Sequence, residues 1–104
     1  MMDDHKVFEL KVFTMPTCSV CPAAKQIASE VAKKLGLAYR EINMNTQEGL
    51  EEGVAHQIMS TPSIALNDEV IVSGKLISKE KLEEEIRKRI DKWKSRVARE
   101  KTML

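Results

Sequence analysis

This chain of 104 residues has little of several things. Only four aromatic residues are present, two Phe, one Tyr and one Trp. Two cysteines are too few for the disulfide framework of a small secreted scaffold. Three prolines and four glycines leave no material for a flexible linker or a repetitive fibre, and no internal repeat or low-complexity tract is visible. The formal net charge is +1, so the molecule as a whole has no field drawing it to nucleic acid or to a membrane surface. No apolar run approaches the roughly 18 residues of a membrane span. The N-terminal stretch, with Asp3 and Asp4, lacks the apolar core and cleavage site of a secretory signal. These absences predict a cytoplasmic protein of one domain, spanning residues 1–104, with a helical C-terminal extension at 91–104.

What is present is ordered. Residues 7–14, VFELKVFT, are rich in strand formers, with Phe8, Leu10 and Val12 on one face and Val7 and Phe13 on the other. Apolar residues on both faces predict a central strand covered on two sides. From Cys18 to Leu35 the period changes to that of a helix, with Ala24, Ile27, Ala28, Val31 and Leu35 on one side and Gly36 as the stop. Residues 38–43 read as a second strand. Asn45–Glu48 matches a capping box, opening a helix whose buried edge would be Leu50, Val54 and Ile58, weakened by Gly49 and Gly53. On that reading His56 is a surface residue.

Thr61-Pro62 ends that helix. Residues 63–67 and 69–73 read as a hairpin turning at Asn67-Asp68, and Gly74 closes the last strand. Ser78 caps a final helix over about 79–100 with a stripe of Leu82, Ile86, Ile90, Trp93 and Val97. The order is β-α-β-α-β-β-α. Two β-α-β crossovers are expected to give parallel strands, and the terminal hairpin makes the sheet mixed. The fold class is α/β, a four-stranded mixed sheet with helices on both faces.

Two features carry chemistry. Cys18-Ser19-Val20-Cys21, directly after the first strand, is open to three readings: a redox dithiol, half of a metal site, or two inert core cysteines. A zinc site needs four ligands, and only His5 and His56 remain as partners, at no usual spacing. The second feature is the basic run over 87–101, eight Lys or Arg against Asp91 and Glu100. Such a run is read first as a solvated helix face, then as a partner contact, and last as a phosphate-binding surface.

The element order, with C-x-x-C after the first strand and Thr-Pro before the third, resembles the thioredoxin superfamily. Seventeen residues precede Cys18, too few for the extra strand and helix that open a full thioredoxin, so the frame is glutaredoxin-sized. "CSVCPAAK" and "IMSTPSIALNDEV" are similar to the small glutaredoxin-like thioredoxins of archaea and some bacteria. The resemblance implies that Cys18 is a nucleophile activated at a helix N-terminus and Cys21 the resolving thiol. It implies that Pro62 is a cis-proline beside them, turning the Thr61 backbone toward a substrate chain. Thr17, Ser19 and Val20 would complete the substrate surface.

The departures are informative. Glutathione-using glutaredoxins read K-P-x-C-P-Y-C, and here Met15 and Val20 replace the lysine and tyrosine. Their Gly-Gly and following acid are replaced by Ser73-Gly74-Lys75-Leu76, so the resemblance argues against glutathione as partner. Val12 stands where thioredoxin has its buried acid. The expected function is reduction of protein disulfides by dithiol exchange. No cofactor is expected beyond the Cys18–Cys21 pair, and the electron donor would be a flavoprotein of the thioredoxin reductase type. The competing readings are a non-enzymatic partner- or RNA-binding module using the basic helix, and a metal-binding thiol protein. Neither a membrane nor a nucleic acid is an expected partner.

Overall fold

A computed structural model describes residues 8–102, with side chains through Trp93. Val7, His5 and Val97 lie outside the described side chains, as does half of the basic run, Lys94, Arg96, Arg99 and Lys101. The elements are β1 (Glu9–Thr14), α1 (Cys21–Leu35), β2 (Ala38–Asn43), α2 (Gln47–Ala55), β3 (Ser63–Leu66), β4 (Glu69–Ser73) and α3 (Lys79–Thr102). The order is the one read from the sequence, and the four strands form one mixed sheet in the order β2-β1-β3-β4.

β1 is central and covered on both faces. Phe8, Leu10 and Val12 join Ala28, Val31, Ala32, Leu82 and Ile86 in a core between the sheet and α1 and α3. Phe13 packs on the other face with Ile42, Met44, Ile58 and Ala65. Gly36, at φ 71°, takes the left-handed conformation that closes α1. Ser78 caps α3 through the Lys81 N–H at 3.1 Å. Trp93 meets Phe8 edge-to-face with ring centroids 5.3 Å apart, extending the core along α3.

One expectation about topology is overturned. Only β1-α1-β2 is a parallel crossover; β3 runs antiparallel to β1. The connection through α2 therefore crosses the sheet face and reverses direction, which places Thr61-Pro62 at the same end of the sheet as the C-x-x-C. β3 and β4 form the expected hairpin, with Asn67 at φ 53° in its turn.

The second helix also differs from its sequence reading. Its cap is Thr46, whose hydroxyl accepts from the Gly49 N–H at 3.0 Å and donates to the Asn43 carbonyl at 2.8 Å. Asn45 lies one residue before the cap, its N–H held by the Asn43 side chain in a local turn at 2.8 Å. Leu50 and Val54 face outward, 51% and 65% exposed, and the buried residues of α2 are Gly49 and Gly53. A Cβ at Gly49 would collide with the Asn43 carbonyl oxygen, and one at Gly53 would lie 2.6 Å from Met44 Cε. The helix thus approaches the sheet by its backbone, which only glycine allows, and its large side chains turn to solvent. Of the three expected edge residues, Ile58 alone is buried.

His56 is likewise not a surface residue: its side chain is 6% exposed. Nδ1 lies 2.9 Å from the Glu52 carbonyl oxygen and Nε2 3.2 Å from that of Asn67, and the ring packs against Phe13. Beside it, buried Lys11 pairs with Glu52 at 3.2 Å, and Arg40 links Glu52 to Glu9. This polar cluster ties α2 to β1, β2 and the hairpin turn. The Arg40 hydrogen bond, aided by Lys11, holds the Glu52 carboxyl below its ordinary value of 4.5.

Two outcomes are expected. Gly49→Ala should lose about 1–3 kcal/mol in urea unfolding, the overpacking cost exceeding the gain in helix propensity, whereas Val54→Ala should change stability by less than about 0.5 kcal/mol. Because folding lowers the Glu52 pKa, its stabilisation is present above pH 4.5 and is lost as pH falls through the folded value. The gap in urea midpoint between wild type and Glu52→Gln, worth about 1 kcal/mol or less because the Arg40 partner is open to solvent, should close as pH drops below 4.5.

Candidate active site

The chain leaves β1 at Thr14 and turns through Pro16 and Thr17, with the Cys18 N–H donating to the Met15 carbonyl at 3.1 Å. The helix starts at Cys21 rather than Cys18. Val20 is its N-cap, and Pro22 sits in the first turn, where its missing N–H has no partner to lose. Cys18 therefore lies just ahead of the helix and Cys21 is its first residue. The two are joined in a disulfide with Cα atoms 5.4 Å apart.

Three features set the electrostatics. The helix N-terminus has no side-chain cap and no acidic residue in its first turn, so its positive end is left for the cysteine pair. Cys21 is only 2% exposed, whereas Cys18 is half-buried and reachable. Val12 is fully buried in apolar surroundings, so that position supplies no base.

The second half of the site comes from the far side of the sequence. Ser63 is the register partner of Phe13, so the residues before Ser63 run beside those after Phe13. The Thr61-Pro62 peptide is cis, Pro62 is buried and Thr61 is half-buried. The loop is fastened by the buried Ser63 hydroxyl, which donates to the Ser60 carbonyl at 2.6 Å. It is fastened again by the Gly74 N–H, which reaches the Pro62 carbonyl at 3.0 Å. Gly74 has φ 75°, and a Cβ there would strike the Ser60 side chain.

Thr17 and Thr61, both singled out in the sequence, line one groove together; Ser19 and Val20 are exposed on the adjoining turn. Met15, marked in the sequence only as a departure from the glutathione-using pattern, also lines it, as do Met44, Leu50, Met59 and Ser60. Leu50 had been assigned to the core, and nothing in a periodicity argument marks Met59. Among the described residues no three His, Cys, Asp or Glu side chains gather as a metal site.

A family model described as a thioredoxin domain matches residues 8–87. The chain belongs to the thioredoxin family. It is 35% identical over 82 residues to a thioredoxin of Methanocaldococcus jannaschii, covering 79% of this chain and 95% of that one. It is 38% identical over 65 residues to a probable thioredoxin of Archaeoglobus fulgidus, covering 62% of this chain and 71% of the other. Among solved structures, thioredoxin 1 of Thermosipho africanus superposes with a TM-score of 0.65 over 80% of this chain and 94% of that one, at 16% identity, a likeness of fold. The archaeal kinship and the four-stranded frame agree with the sequence resemblance. With its redox-type cysteine pair, this thioredoxin is a thiol–disulfide oxidoreductase.

The unequal burial has a measurable consequence. After reduction, iodoacetamide should modify Cys18 at least about tenfold faster than Cys21, read by peptide mass spectrometry. Equal rates would show that Cys21 is not shielded.

Proposed function

We propose that this thioredoxin reduces disulfides in proteins, with Cys18 as the attacking and Cys21 as the resolving thiol. The carrying observation is the asymmetry of the pair, a reachable Cys18 ahead of an uncapped helix and a Cys21 sealed beneath it. In the first exchange the Cys18 thiolate forms a bond to one sulfur of the target disulfide. The other target sulfur leaves as a thiolate and takes up a proton. In the second, the Cys21 thiolate attacks Cys18 Sγ, closes the internal disulfide and releases the remaining target thiol. Two electrons pass to the target, and a flavoprotein of the thioredoxin reductase type returns them. The pair itself is the redox centre, and no other cofactor takes part.

A protein-sized partner is supported by where apolar surface is exposed. Val20, Leu50, Met59 and Leu76 are exposed large hydrophobic residues, and each lies in a segment at the disulfide end of the sheet. Such surface around a reactive pair suits a macromolecule better than a small charged thiol. Thr61, beside Thr17, offers backbone to a substrate strand, and Ser19 and Val20 meet it from the helix side. Met15, Val20 and the stretch Ser73-Gly74-Lys75-Leu76 stand where glutathione-using glutaredoxins carry their glutathione contacts, which favours protein over glutathione. The assigned compartment is the reducing cytoplasm, where such a dithiol is kept in its working form.

Cys18→Ser should abolish reduction of insulin disulfides while leaving the urea midpoint nearly unchanged. Cys21→Ser should accumulate a mixed disulfide on Cys18, identified by mass spectrometry. Insulin reduction that survives Cys18→Ser would overturn the reading, and a partner trapped in wild type on Cys21 would reverse the two roles.

A further inference from the structure

We infer that Ser63 is a positioning residue for the exchange, its buried hydroxyl aiming the Thr61 N–H at the substrate chain. The inference rests on the reading of this thioredoxin as a reductase of protein disulfides, and adds the group that orients its substrate-facing backbone.

β3 reads Ser63-Ile64-Ala65-Leu66, and all of it is buried. Ser63, 0% exposed, is the polar exception in an apolar strand. By strand alternation its side chain shares the α2 face with Ala65 and with its register partner Phe13. An alanine would fill that place with no polar group to desolvate, whereas a buried hydroxyl is tolerated where it is hydrogen-bonded. The Ser63 hydroxyl works in both directions. It donates its one proton to the Ser60 carbonyl at 2.6 Å and accepts from the Gly74 N–H at 3.2 Å.

These bonds orient the residue between them. The Ser60-Thr61 peptide is trans. In a planar trans peptide the C=O and the N–H point in opposite directions. With the Ser60 carbonyl drawn inward to Ser63, the Thr61 N–H is turned away from the core, and among the described residues no backbone carbonyl accepts from it. The Gly74 N–H also reaches the Pro62 carbonyl at 3.0 Å, which holds the loop from its other end. Ser63 is itself paired with Phe13, one residue from the end of the strand that leads to Cys18. The hydroxyl thus ties the Thr61 peptide to the same strand that places the attacking sulfur. A substrate backbone accepting from the Thr61 N–H is then held at a set offset from Cys18. Without the hydroxyl that peptide is free to rotate, and the substrate meets it misaligned.

The test compares Ser63→Ala, Ser63→Val and Ser63→Thr. The Val and Thr side chains have the same shape and differ in the hydroxyl, so they separate the hydrogen bond from packing. Each pre-reduced protein is mixed with insulin, or with bis(2-hydroxyethyl) disulfide, which has no peptide backbone to pair with Thr61. Urea midpoints identify conditions in which the variants are folded. On insulin, Ser63→Ala and Ser63→Val should react about tenfold more slowly than wild type, the scale of a misplaced reacting group, and Ser63→Thr within about twofold of it. All of them should reduce the small disulfide at the wild-type rate. A loss on insulin shared equally by Ser63→Thr and Ser63→Val would show that packing, not the hydroxyl, matters, and would overturn the assignment. So would wild-type insulin rates in Ser63→Ala and Ser63→Val, equal slowing on both substrates, or failure of both variants to fold. Wild type that reduces the small disulfide but not insulin would instead overturn the reading as a reductase of protein disulfides.

Discussion

Everything at the reactive end hangs on β1 being paired along both edges and covered on both faces. Its parallel partner β2 and its antiparallel partner β3 are held in register by residues with no freedom to shift, because Leu10, Val12 and Phe13 are all fully buried. A slip of one residue would send Phe13 into the α1 face and Val12 into the α2 face. The pairing of Phe13 with Ser63 then brings residues 44 positions apart, Cys18 and Pro62, to one end of the sheet. The disulfide is local, but the site is not.

A second constraint acts on the other face. α2 is small and carries two glycines, features that argue for a weak helix when read alone. In the fold those glycines are the contact surface, and the polar cluster of Lys11, Glu52, Arg40 and His56 secures the helix from its C-terminal half. Close docking at Gly49 and Gly53 directs Leu50 to the rim of the groove. Helix stability and the shape of the site are thus one problem, solved by leaving side chains out.

The electrostatics of the cysteine pair follow from similar omissions. Val20 caps without a side-chain hydrogen bond, and the first turn of α1 contains no acid. A Ser or Asp cap would add about 1 kcal/mol to the helix, but it would compete with a thiolate for the same N–H groups. The helix is left unsatisfied where the thiol needs stabilising, a local rule broken at a functional position.

The element order, the buried central strand, the stop at Gly36, the hairpin at Asn67 and the cap at Ser78 were legible because each rests on near neighbours in the chain. The cysteine pair was legible too, since its two sulfurs are brought together by a single turn. Periodicity failed at α2, where it assigned Leu50 and Val54 to the core and His56 to the surface. Hydrophobicity reports what a side chain prefers, not how closely two backbones approach. The direction of β3, the burial of His56 and the groove walled by Met15, Met44, Leu50 and Met59 depend on strands pairing across long sequence separations. Local chemistry determined what the cysteines can do, and the antiparallel return of β3 beside β1 decided what stands next to them, because only pairing across the sheet carries a segment that far from its neighbours in sequence.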